Sequence, residues 1–202
     1  MGYCHYWEIE EDIGEESFCS VVADVERIVL TLDDRGVRLA GPLGTGLPEL
    51  DADHIAFNGL WECGHVKNEE IVIPFPAEDA AGIGSSTDAV EGSYYGMGTL
   101  LKHRTCDGRC SYEPFRIGRR CAYKGRVKDG RYFDFCKTGF RPYDLAVQSA
   151  LLIAKHHLGD RIHVSSGGSD YHWNDARLLC YAHLSYPLHQ YRIDRDAGLI
   201  LV

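Results

Sequence analysis

Two groups of residues in this chain have the types and spacing to do chemistry. The first gathers where a strand would hand over to a helix. Lys137 and Thr138 end an alternating run through Tyr132 and Cys136, Gly139 permits a turn, and Arg141, Pro142, Tyr143 and Asp144 open an apolar-periodic stretch. Free amides at a helix start, together with the helix dipole, favour a phosphate or carboxylate, and Lys137 and Arg141 add full charges. His5, Tyr6 and Trp7 supply a stacking surface if the opening strand lies beside this one, and Asn58, Ser165, Ser166 and Asp170 are polar groups at other segment ends. These residues form the expected seat of a small anionic, nucleotide-like ligand. A structural reading competes with it, in which the aromatics are core or rim, Asp144 caps the helix and Lys137 is solvated.

The second group is Cys63-x-His65 with His103, Cys106-x3-Cys110 and Cys121. Thiolate and imidazole are the zinc donor set, and four closed ligands make a structural site. The spacing lacks the paired C-x-x-C form, so the alternative is no cofactor and unpaired thiols in a loop-rich stretch. Cys136 with His5 as base is a third candidate. It lacks a nucleophile-elbow signature and reads as a buried, inert thiol.

The elements that must position these residues follow from periodicity. Residues 3–8 read as an opening strand, and Ser17 or Ser20 caps a helix whose stripe is Val21, Val25, Ile28, Val29 and Leu32. Val37–Ala40, His54–Gly59 and Ile71–Ile73 read as strands. The 131–137 strand leads into a helix ending at Gly159, followed by a strand at 161–165, a helix from Asp170 to Leu184 and a short strand at 199–202. The order predicts an α+β fold: a mainly antiparallel sheet with helices on one face, a ferredoxin-like relative, in one domain spanning 1–202. A Gly-, Cys- and Arg-rich insertion at 78–130 interrupts it, too long for an idle connection.

The 202 residues carry a formal charge of −9, which argues against a nucleic-acid backbone as the main partner. Roughly half of the Lys and Arg crowd residues 102–131, so that segment folds against the acidic body or meets an anion. No run approaches the ~18 apolar residues of a membrane span, and the N-terminus has no leader pattern. The expected compartment is the reducing cytoplasm, where eight Cys read as thiols or metal ligands rather than disulfides.

Three separated pieces carry a family resemblance: Met1-Gly2-Tyr3-Cys4-His5-Tyr6-Trp7, Asp53-His54-Ile55-Ala56-Phe57-Asn58-Gly59, and Phe135-Cys136-Lys137-Thr138 followed by Pro142-Tyr143-Asp144. Ile162-His163-Val164-Ser165-Ser166 fits as well. The chain resembles a family of small uncharacterised bacteriophage and prophage proteins, which usually have Thr in place of Cys4 and a far shorter 62–131 region. The resemblance implies a viral source and a shared location for the marked residues. The leading expectation is therefore a phage accessory protein, not an enzyme, that binds a nucleotide-like ligand or a host protein and counters host defence. The alternatives are a nucleotide hydrolase or phosphodiesterase in the same cleft, and an interaction module acting through the insertion. Homo-oligomerisation is left open.

Overall fold

The computed structural model describes residues 3–74, 103–121, 127–188 and 190–202, with only the backbone of His103. Part of the expected 78–130 insertion lies outside the described residues. The chain is an α+β protein.

The main sheet contains β1 (Cys4–Glu10), β8 (Val127–Lys128), β9 (Arg131–Lys137) and β10 (Ile162–Ser166) in the order β10-β1-β9-β8, every pair antiparallel. Helix α1 (Glu15–Asp34) follows β1, and α2 (Asp144–Leu158) joins β9 to β10. The sequence β1-α1-β8-β9-α2-β10 with this strand order is the split β-α-β arrangement of a ferredoxin-like sheet. Strand alternation separates two faces. His5, Trp7, Ile9, Cys136, Ile162 and Val164 are buried, whereas Tyr6, Phe133 and Phe135 form a half-exposed aromatic group on the outer face.

Helix α1 presents Phe18, Val21, Val25, Ile28 and Leu32 to the core at helical spacing. It starts earlier than the sequence predicts. Gly14 is the N-cap, and Glu15 and Glu16 occupy the first turn, where carboxylates complement free amides; Ser17 and Ser20 lie inside the helix. Helix α2 is buried along nearly its whole length, because it packs against α1, β10 and helix α3 (Asn174–Leu184). The helix expected from Asp170 divides into a 3-10 turn at Asp170–Trp173 and α3. Ser169 and His172 close a reciprocal capping box on that turn.

The strands expected at 37–40, 54–59 and 71–73 do not join the main sheet. β2 (Leu39–Ala40), β3 (Glu49–Leu50) and β7 (Phe115–Gly118) pair with β4 (His54–Gly59), and β5 (Lys67–Val72) pairs with β6 (His103–Asp107). β1 offers them no edge, since β9 and β10 take both, and these strands pair their backbone groups with one another instead. The excursion from the sheet thus begins just after α1. β11 (Tyr191–Asp194) and β12 (Gly198–Leu201) form a terminal hairpin.

Candidate metal centre and buried polar site

The loop between β4 and β5 brings Cys63 and His65 to the end of β6, which carries Cys106, and to the turn after it, which carries Cys110. The four donor atoms lie within 4.8 Å of one another. Cys63 Sγ is 3.5 Å from Cys106 Sγ, Cys106 Sγ is 3.7 Å from Cys110 Sγ, and His65 Nδ1 is 3.3 Å from Cys110 Sγ. Backbone contacts hold the two segments together: the amides of Cys110 and Ser111 both donate to the Leu60 carbonyl. Gly59 is required there, because a Cβ at that position would stand 2.1 Å from the Cys110 carbonyl oxygen. The Arg109 guanidinium covers the Trp61 ring at 4.1 Å.

Burial and the neighbouring Cys63 push the Cys106 thiol up, and burial with the Cys106 sulphur pushes Cys110 up further. Burial also raises Cys63, but hydrogen bonds from the His65 backbone, Cys106 and Cys110 outweigh it and bring that thiol below its ordinary value. Three crowded sulphurs with one easily ionised member resist further deprotonation by mutual repulsion, and a divalent cation reverses that preference. Cys121 stands apart from the four. It borders a different cavity beside Tyr132, and its amide donates to Glu11 O. The side chain of His103 lies outside the described residues.

A second constellation lies under the sheet, where β1, the β9–α2 turn, β10, β6 and α3 meet. His5 Nε2 is 2.9 Å from Asp144 Oδ1, which also accepts the Thr138 hydroxyl at 2.6 Å, and Ser166 Oγ is 3.0 Å from His5 Nδ1. Arg104, fully buried, places Nε 3.6 Å from Asp144 Oδ2 and a terminal nitrogen 3.1 Å from Asp175 Oδ2, with its plane over Phe140. Tyr3 meets the His5 ring edge-on at 5.0 Å and accepts a hydrogen bond from Gln148 Nε2 at 2.8 Å. Burial and the Asp144 carboxylate push the Tyr3 phenol up, so it stays a neutral hydroxyl.

Of the residues expected at the ligand seat, the structure joins His5, Thr138, Asp144 and Ser166. The others serve elsewhere. Trp7 is core against Phe115, Tyr6 belongs to the outer aromatic group, and Tyr143 donates to the Glu113 carbonyl. Asn58 uses its whole amide to bracket the Tyr112 backbone, Pro42 O and Gly59 N. Arg141 bonds the Arg109 carbonyl and Asp107 and stacks on Tyr112, across which Lys137 also lies. Asp170 holds Arg177 and the Ile193 amide, and Ser165 borders a cavity shared with Ser166. The start of α2 is not a surface seat, because Asp144 is buried and the amides of Asp144 and Leu145 donate to the carbonyls of Arg141 and Pro142.

Sequence reasoning missed Tyr3, Arg104, Gln148 and Asp175. Gln148 was detectable, since it follows Asp144 by four residues on an otherwise apolar helix and therefore shares its face. Arg104 was hidden inside a basic run.

Cys136 is fully buried, its thiol is bonded to the Glu113 carbonyl, and burial pushes it well up. Cys180 is raised by burial too, whereas Cys19 is exposed. Iodoacetamide under mildly alkaline, non-denaturing conditions is expected to modify Cys19 well before Cys136 and Cys180, which react only after unfolding, as read by peptide mass. Modification of Cys136 as fast as Cys19 would contradict this placement. No family model, curated protein or solved structure matches the chain.

Proposed function

We propose that the chain binds one zinc ion through Cys63, His65, Cys106 and Cys110, as a structural centre fastening the β4–β5 loop to the β6 turn. The observation that carries this reading is the donor spacing. Tetrahedral zinc sets sulphur–sulphur edges of about 3.8 Å and sulphur–nitrogen edges of about 3.6 Å, against 3.5, 3.7 and 3.3 Å here. Three thiolates and one imidazole fill the coordination shell and leave no position for substrate, so the ion's role is to stabilise. Because Arg104 lies two residues before Cys106 on β6, the clamp also holds the guanidinium against Asp144 and Asp175. The test is titration of metal-free protein with cobalt. Intense thiolate-to-cobalt charge-transfer bands with tetrahedral d–d absorption, saturating at one ion per chain, are expected. Only weak octahedral absorption would refute the site.

A second reading concerns the anionic, nucleotide-like ligand expected for a phage accessory protein. A cavity of about 600 Å³ between β7 and β9 is bordered by Arg116, Arg120, Tyr132 and Phe135, with Asp53, Glu113 and Asp134 also on its wall, so two guanidinium groups stand near an aromatic face suited to stacking a base. A nucleoside diphosphate is expected to raise the melting temperature of the wild type and not of an Arg116→Glu/Arg120→Glu variant. An equal shift in both proteins, or none, would overturn it.

A further inference from the structure

We infer that Ser166 is a nucleophile whose proton passes to His5, forming an acyl-transfer site for small carboxylic esters. The inference is independent of the metal centre. Its first support is donor arithmetic. The Asp144 carboxylate accepts at Oδ1, so the His5 nitrogen facing it at 2.9 Å carries the proton, and Nδ1 is left as the acceptor. Ser166 Oγ, 3.0 Å from that nitrogen, itself accepts the Gly168 amide at 3.0 Å. Its hydroxyl hydrogen is thereby directed at His5 Nδ1. A serine, an imidazole and an orienting carboxylate in series are the arrangement that activates an alcohol.

The second support is how the fold builds this series. His5 and Ser166 are directly opposite in the β1–β10 register, so strand pairing sets their separation. The imidazole is fully buried and is held edge-on by Tyr3 at 5.0 Å and Trp173 at 5.3 Å. Asp144 is fixed in turn by Thr138 and Arg104. Gly168 lets the Tyr3 ring close over this turn, because a Cβ there would stand 2.8 Å from the ring.

The third support is access. Ser166 is only partly buried and lines a cavity of about 390 Å³ with Ser165, Ser169, Ile193 and Arg195. The volume suits a short acyl chain, with Ile193 as an apolar wall and Arg195 as a cation at the rim. In the reaction, Ser166 Oγ bonds to the ester carbonyl carbon as its proton moves to His5 Nδ1. The ester C–O bond breaks and that proton leaves with the alcohol. A water molecule then gives a proton to Nδ1 and its oxygen to the acyl carbon, and Ser166 departs and recovers the proton. Ser166 and His5 are the catalytic residues, and Asp144 is a positioning residue.

The test treats the intact purified protein with an alkyl fluorophosphonate and locates the adduct by peptide mass. One adduct per chain on Ser166 is expected, absent from Ser166→Ala and slowed at least ~100-fold in His5→Gln. Ser166→Ala removes one oxygen from a partly exposed position and keeps the fold. p-Nitrophenyl acetate hydrolysis should disappear with it. Asp144→Asn should lower the maximal labelling rate while leaving the half-saturating probe concentration unchanged, a split that general destabilisation does not produce. No adduct on Ser166, an adduct of equal rate in folded His5→Gln, or labelling that proceeds equally fast on protein already unfolded in denaturant would overturn the inference.

Discussion

Replacing Cys106 by Ser is expected to abolish zinc retention and lower the melting temperature by on the order of 10 °C. Cys106 is fully buried and faces both other sulphurs of the tetrad, at 3.5 and 3.7 Å. A serine hydroxyl is a poor zinc ligand, and without the ion it becomes a buried polar group among thiols. The clamp joins segments that are 43 residues apart at Cys63 and Cys106, so its loss frees a long stretch of chain. A loss of ~3 kcal/mol corresponds to roughly 10 °C for a chain of this size. Metal analysis and calorimetry read both effects, and a Cys106→Ser protein that keeps stoichiometric zinc and melts with the wild type would contradict the assignment.

Replacing Arg104 by Leu is expected to cost ~3–5 kcal/mol, the usual penalty for removing one partner from a buried ion-pair network. The guanidinium is fully buried between two fully buried carboxylates, those of Asp144 and Asp175. Coulomb attraction there offsets a large desolvation cost, and the leucine variant keeps the cost while losing the attraction. Adding Asp144→Asn and Asp175→Asn to Arg104→Leu should restore part of the stability, because the penalty lies in uncompensated charge rather than in lost volume. Urea unfolding measures each step. An Arg104→Leu protein within about 1 kcal/mol of the wild type, a margin typical of exposed pairs, would show that the network does not bear on stability.

What the sequence made legible is what short-range periodicity encodes. β1, α1, β9 with its turn into α2, and β10 each announce themselves through a period of 2 or 3.6 within a single window, and the antiparallel α+β class follows from their order. The fate of residues 37–73 was not legible. β2 and β3 are two residues each, too short to show a period, and both pair with β4 rather than with the main sheet.

The sites divide along the same line. Cys63, His65, Cys106 and Cys110 were identifiable by donor type, but Cys121 has the same chemistry, and tertiary pairing separates it from the cluster: β5 with β6 on one side, the Cys121 amide with Glu11 on the other. His5, Thr138, Asp144 and Ser166 stood out as polar residues at segment ends. Their mutual bonds depend on the β1–β10 register and on burial of Arg104, a residue that a basic run makes look solvated.

The zinc proposal is tested most directly by X-ray absorption at the zinc edge on protein purified without added chelator. The account predicts one zinc per chain with a first shell of three sulphurs at about 2.3 Å and one nitrogen at about 2.0 Å. A shell of oxygen and nitrogen alone, or protein from zinc-replete cells that carries no zinc, would contradict it.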